Sequence, residues 1–582
     1  MTLLMNASPP ATPFGSVVTS SRPFVPATID ATRWESLEPL YRALLTRTLT
    51  SAGCLQELIL DRSELDAAAG EAEANLYINM TRHTDVEPAQ QAFATFVDQV
   101  EPQLKRVGFE LDRLISQSPF AKDLDQERYA VLLRRLRRDV ELFRDENVPL
   151  QTELTKLDQE YSKICGAMTV EFDGRTQTLA QMARYLEEPD RSLRERAWRV
   201  IAERRLVDAD RIDELYGRMI ALRHQMALHA GFESFRDFQH QRFHRFDYTP
   251  QDCITFQTAV ERACVPLMRE LNSERAAALG VDRVRPWDLA VDPKGRPPLR
   301  PFRDAKDLLD RTRAMFERMD AGLAAMFDSL QRGDSLDLES RPGKAPGGYQ
   351  YQRQRSRQPF IFMNAAGLHR DVVTMVHEAG HAFHSLLCVE DPLVDYRSSP
   401  IEFAEVASTS MELFTLPYLD AFYNAADADR ARRERLEKFP TLMPWIAQID
   451  AFQHWVYTRP THTKDERRAA WASLNERFSP EIDWTGIEQF QERSWQRQLH
   501  LFGMPFYYIE YGIAETGAMQ LWLQSLRSER AAIENYRRGL SLGGSRPLPE
   551  LWTAAGCTFD FSERVLGELM RETRKAMAKL PA

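Results

Sequence analysis

The sequence predicts a mainly α-helical protein of two lobes, with a small β region set beside one buried helix. Three observations predict it. The chain has 582 residues, more than one hydrophobic core usually holds, so two or more lobes are expected. Apolar residues recur at three-to-four spacing along most of its length. The β signals are few, short and confined to two places, near residue 170 and just before residue 366.

Taken in order, residues 1 to about 28 are rich in Pro, Ser and Thr and are expected to be loose. From about 31 to 165 the pattern is helical, with 88–118 and 126–165 reading as long antiparallel helices. Residues 168–176 alternate and contain Asp173-Gly174, which predicts a hairpin at a domain junction. Pro189-Asp190-Arg191-Ser192 restarts helix, which continues to about 275. Residues 280–301 and 341–348 are punctuated by Pro and Gly and read as loops. Tyr349 and Tyr351 alternate with polar residues, and 359–364 reads as a strand. Beyond residue 400 helices dominate again. The run Gly543-Gly544-Ser545-Arg546-Pro547 lacks the lysine and spacing of a phosphate loop and reads as a connection.

One short run carries chemistry: His377-Glu378-Ala379-Gly380-His381, inside VVTMVHEAGHAFHSLL. On a helix the two histidines stand about 40° apart around the axis and roughly 6 Å along it, so both can reach one zinc ion. Glu378 lies about 60° off the second histidine, poorly placed as a ligand but suited to take a proton from water activated by the metal. Apolar neighbours on nearly every side predict a buried helix, with Asp371 supporting its start. Buried histidines and a glutamate need partners, and a metal supplies them. Gly380, inside a helix, costs about 1 kcal/mol relative to alanine and predicts a close neighbour there. The strand at 360–364 or a bound peptide are the candidates, and a free edge on that strand would hold an extended substrate by its main chain.

A catalytic zinc site needs a third protein ligand and an open fourth position. The next helical run, IEFAEVASTSME, has Glu402, Glu405 and Glu412 at intervals of three and seven, on one face. Carboxylates among Phe, Ala, Val and Met suit a buried helix that faces a cation. One is expected to bind the metal and another to hold a ligand histidine in its tautomer. Spacing alone does not choose among the three.

HEAGHAFHSLL followed by IEFAEVASTSMELF resembles the thimet oligopeptidase and oligoendopeptidase F family of zinc metallopeptidases. Arg285-Pro286-Trp287-Asp288, the run at 359–367 and PFYYIEYG at 505–512 are similar to its oligoendopeptidase F branch, and the resemblance covers most of 200–580. It implies a two-lobed zincin-type helical fold with zinc at the floor of a deep channel, and a substrate class of short unstructured peptides cut internally. It implies Glu405 as third ligand beside His377 and His381, Glu412 behind a ligand histidine, and Glu378 as general base. The domains it implies are a helical one over 29–200 and a catalytic zinc peptidase domain over 201–582.

Peptide hydrolysis also needs a donor for the oxyanion. The segment from His500 to Tyr511 offers His500, Tyr507, Tyr508 and Tyr511. Tyr511 is spaced by four from Tyr507 and by three from Tyr508, so each pair shares a helix face. The resemblance favours Tyr511, helped by one of the other tyrosines or by His500. His384 and His454 read as packing residues.

Composition narrows the rest. A formal net charge of −10 argues against nucleic acid as a partner, and no apolar run approaches the ~18 residues of a membrane span. The N-terminus lacks the basic-then-apolar order of a signal peptide, and six scattered cysteines read as reduced thiols, so the cytoplasm is expected. Two rival readings stand beside the single-zinc endopeptidase. One is a peptidyl-dipeptidase or carboxypeptidase of related build, which needs a cation to clamp the substrate carboxylate. The other is a non-catalytic peptide-binding protein.

Overall fold

The computed structural model describes residues 23–581, so most of the segment expected to be loose lies outside the described residues. The fold is mainly helical, with two small sheets. The expected hairpin is present as β1 (Thr169–Phe172) and β2 (Arg175–Thr178). Asp173 and Gly174 both take positive φ, 53° and 69°, which is the tight turn that matches strand twist.

Prolines explain where the long N-terminal helices depart from the expectation. The stretch 88–118 is two helices, Glu87–Thr95 and Glu101–Ser116, joined by a π turn over Phe96–Val100. Pro102 lacks an N–H and crowds the carbonyl four residues back, so the helix widens before it. The stretch 126–165 breaks between Leu142 and Asn147, and Pro149 lies in the first turn of the second helix, where its missing N–H costs nothing.

A second sheet has the order β3 (Leu336–Glu339), β5 (Gln358–Ala365), β4 (Tyr349–Arg353). β3, Leu-Asp-Leu-Glu, alternates over only four residues, too few to stand out in the sequence. β5 pairs parallel with β3 and antiparallel with β4, so it has no free edge, contrary to expectation. Its run Pro359–Met363 is buried, as a central strand requires, and the edge falls to the half-exposed β4.

Three larger cores organise most of the helices. One gathers the helices before residue 137 and closes over Leu393 and Tyr396. The Tyr396 hydroxyl donates to Arg128 O (2.9 Å) and accepts from Leu132 N–H (3.1 Å), fastening that lobe to the segment after the motif. A second core unites helices on both sides of residue 200 with the segment 495–506. The largest surrounds four helices: the motif helix (His369–Leu387), the glutamate helix (Ile401–Phe414), the long helix (Ala425–Tyr457) and the tyrosine helix (Ile509–Arg527).

Gly380 does not face β5 or a peptide site. A Cβ built on it would lie 2.6 Å from Ala407 O and 2.6 Å from Ser408 Cα, so it is where the motif helix meets the glutamate helix. Gly517 plays the matching part on the other side, where a Cβ would lie 2.8 Å from Val406 Cγ2. We expect Gly380→Ala to cost about 1–3 kcal/mol through overpacking, exceeding the helix-propensity gain of about 1 kcal/mol. Thermal unfolding of the variant is the check, and an unchanged or raised midpoint would refute the close-contact account.

Candidate metal centre

The motif helix begins where Asp371 accepts the N–H groups of Ala366 (2.7 Å) and Leu368 (2.9 Å). Two turns on, His377 and His381 are partly exposed, their side chains 27% and 19% accessible. Their rings are 5.0 Å apart and nearly perpendicular. Across the Gly380 contact stands Glu405, whose Oε2 lies 3.5 Å from His377 Nε2 and 3.6 Å from His381 Nε2. Ser408 Oγ, one turn along, donates to the same oxygen at 2.9 Å.

This donor set fits a zinc ion. Ligands about 2.05 Å from a tetrahedral centre are separated by about 3.3 Å, close to the distances here. Two imidazoles and one carboxylate leave a fourth position open. Electrostatics point the same way. Burial opposes charge on His377, but its bond to Glu412 and the charges of Glu412, Glu405 and Glu378 outweigh it and raise its pKa to about 9. A proton there stands in for the cation the carboxylates call for. Burial lowers His381 to about 4, keeping it neutral, as a ligand must be.

Behind His377, Nδ1 meets Glu412 Oε1 at 2.8 Å, which leaves Nε2 free to ligate. Burial works against the Glu412 charge. Arg435 (2.7 Å), His377 and Lys438 (3.3 Å) nonetheless hold its carboxyl well below the usual range. Arg435 also reaches Glu515 at 3.0 Å, so the tyrosine helix is tied into the same ion network. Glu402, the third carboxylate of the face, points elsewhere: Tyr248 donates to its Oε1 at 2.7 Å, next to Arg245.

Glu378 is buried beside the two histidines. Burial pushes its carboxyl up to about 7. His377 and the main-chain N–H of Gln350 on β4 oppose that rise, and Glu405 and Glu412 add to it. A carboxylate with its pKa near neutrality can both accept and release a proton.

His500, Tyr507, Tyr508 and Tyr511 gather in one aromatic cluster, with ring centres 4.9–6.1 Å from His500. Tyr507 precedes the tyrosine helix yet reaches Tyr511, ring to ring at 5.5 Å, because Phe506 takes a positive φ of 68°. Burial raises both phenols, Tyr511 to about 12, and the Glu405 charge adds to each. Burial raises the Tyr508 phenol, with Trp445, Arg497 and Gln498 opposing the rise, and Gln498 Nε2 meets His500 Nδ1 at 2.7 Å.

Several supporting residues escaped the sequence reading. Ser408 lies three residues after Glu405, a spacing that could have marked it. Arg435 and Gln350 come from remote segments and leave no local signal. His384 bonds Ser399 Oγ at 3.0 Å in the core, as a packing residue. His454 meets Asp450 and Cys253 in a second group that is buried. A cavity of about 760 Å³ opens beside His369, Val373 and Thr374 of the motif helix and extends along the long helix to Trp445.

Comparison with known proteins shows the family. Residues 184–571 match the model of Peptidase family M3, and residues 24–143 match the Peptidase M3 N-terminal domain. An oligoendopeptidase F homolog of Borreliella burgdorferi is 26% identical over 37% of this chain and 37% of that protein. Oligopeptidase PepF of Bacillus subtilis is 25% identical over 36% of this chain and 32% of that protein. These sequence matches thus span about a third of each curated relative. The structure of PZ peptidase A with an inhibitor superposes with a TM-score of 0.86 at 27% identity, over 96% of this chain and 99% of that one. The chain belongs to peptidase family M3.

Proposed function

We propose that this chain is a zinc-dependent endopeptidase that cuts internal bonds of short, unstructured peptides. The observation that carries the reading is the convergence of His377, His381 and Glu405 on one point beside Glu378, in a chain of this family. His377, His381 and Glu405 would hold one zinc ion, which when bound supplies a Lewis acid and makes water acidic near neutral pH.

The protein's own groups do the rest. Glu378 takes a proton from the attacking water on its carboxylate and delivers it to the leaving amide nitrogen. Glu412, charged and anchored by Arg435, keeps the His377 proton on Nδ1. Tyr511, with Tyr507 against it, donates its hydroxyl to the oxyanion, and Tyr508 and His500 brace the pair. The cleft between 29–200 and 201–582, read as an N-terminal helical domain and a catalytic domain, admits extended peptides and excludes folded ones. Peptides, with no nucleic acid partner, agree with the acidic chain. No described helix is long and apolar enough to cross a membrane, and we place the protein in the cytoplasm on its cysteine usage.

Glu378→Gln is expected to lower kcat by about 10²–10⁴-fold while zinc content stays at one per chain. Elemental analysis beside mass spectrometry of a peptide ladder reads both. Internal cuts in short peptides support the endopeptidase. Stepwise loss of terminal residues would transfer the site to an exopeptidase, and turnover by Glu378→Gln would refute the assigned base. Glu412→Gln is expected to weaken zinc about 10–100-fold, read by competition with a chromogenic chelator. Unchanged affinity would remove Glu412 from the metal's support.

A further inference from the structure

A second group of metal-type donors is buried in the protein, besides the three that converge beside Glu378. Cys253 stands on the helix Pro250–Ala263, and Asp450 and His454 stand one turn apart on the long helix. The sulfur, a carboxylate oxygen and an imidazole nitrogen of these three lie within 4.8 Å of one another. A fourth donor comes from the helix Phe235–Arg242, where His240 Nε2 is 3.9 Å from the Cys253 sulfur. All four residues are deeply buried, at 1–7% exposure.

Packing alone leaves these groups unsatisfied. Asp450 accepts a hydrogen bond from Gln257 Nε2 at 2.7 Å on Oδ2, and its Oδ1 has no partner among the described residues. The basic group within ion-pair range of it is His454, whose Nε2 lies 3.4 Å from Oδ2. His454 Nδ1 is likewise without a partner among the described residues. Arg245 is committed elsewhere, donating to Glu510 and to Phe506 O, each at 2.6 Å. A buried carboxylate without a full cation and an imidazole without a hydrogen bond are both costly, and one metal ion satisfies them together. The distances suit zinc. A tetrahedral centre separates nitrogen and oxygen ligands by about 3.3 Å and sulfur from either by about 3.6 Å, so a shift of the sulfur by roughly 1 Å closes the set. Thiolate and carboxylate also cancel the charge of a divalent ion, as a dry interior requires.

We propose that Cys253, Asp450, His454 and His240 form a second zinc site, structural in kind. A thiolate beside imidazoles and a carboxylate selects zinc over the hard cations, and binding releases the thiol proton. Four protein ligands close the site to water, so it holds helices together and performs no hydrolysis. Three helices meet in it, and the long helix carries the consequence toward the tyrosines. The His454 ring packs edge-on against Phe506 at 5.6 Å, and Gln453 Oε1 accepts the Phe506 N–H at 2.5 Å. Phe506 is the residue whose positive φ lets Tyr507 reach Tyr511. The site shares no residue with the catalytic set and stands independently of the peptidase reading. The one zinc per chain that Glu378→Gln retains is the catalytic ion, and with this site filled the total is about two.

Cobalt tells the two sites apart. The catalytic donors include no sulfur, so a thiolate-to-cobalt charge-transfer band in the near ultraviolet reports the Cys253 site alone. Full-length protein produced with cobalt in zinc-depleted medium is expected to show that band and to hold about two metal ions per chain by elemental analysis. His381→Ala should keep the band and about one ion, whereas Cys253→Ser should lose the band and keep the catalytic ion. A band that persists in Cys253→Ser belongs to another thiol and overturns the site, as does wild-type protein with about one ion and no band. Where Cys253→Ser does not fold, X-ray absorption at the zinc edge of the wild-type zinc enzyme decides. A sulfur neighbour at about 2.3 Å is expected, and a shell of nitrogen and oxygen alone would overturn the site. A cobalt protein with the band, beside a zinc enzyme that leaves the peptide ladder uncut, would sink the peptidase reading and leave this site standing.

Discussion

The candidate site depends on one helix being held at very short range between two others. The glutamate helix touches the motif helix at Gly380 and the tyrosine helix at Gly517, and at neither contact is there room for a Cβ without displacement of its neighbours. Because the first contact is main chain against main chain, it leaves little freedom for sliding. That fixes Glu405 within 3.5–3.6 Å of both histidines. A metal-like donor set is therefore a consequence of helix packing, and Ser408 trims the last degree of freedom by holding the Glu405 carboxylate.

Close packing brings several carboxylates together, and their charge has to be met. Glu412 sits at 5% exposure with Arg435 also at 5%, and the guanidinium continues to Glu515 on the tyrosine helix. Removing either partner of such a buried pair strands the other, which is far costlier than the pair is stabilising. The ion chain thus does for electrostatics what the glycines do for sterics: it holds the helices that carry the histidines, Glu405 and the tyrosines in one relation. Glu378 stands at the margin of this network, where burial against β4 keeps its proton exchangeable.

Charge is also shared unevenly between the outside of the molecule and the cavity beside the motif helix. An acidic protein that lines this cavity with seven Arg and Lys side chains against two glutamates has a cationic interior under an anionic exterior.

What the sequence determined by itself was the local chemistry. His377, Glu378 and His381 lie within one turn, so helical geometry alone sets their relation, and the carboxylate face of Glu402, Glu405 and Glu412 follows from the same periodicity. The mainly helical class, the Asp173-Gly174 hairpin and the break into β structure before residue 366 were legible for the same reason: each is a pattern of neighbours in the chain. Tertiary structure decided everything that joins distant segments. It separated Glu405 and Glu412 from Glu402 by bringing Tyr248 and Arg245 to the latter. It placed β5 between β3 and β4, since a continuous apolar run does not say which strands flank it. It assigned Gly380 to a helix contact, because a glycine announces a close approach but not the partner. Arg435 and Gln350 were invisible in the chain, as polar groups remote in sequence acquire a role only when folding sets their distances.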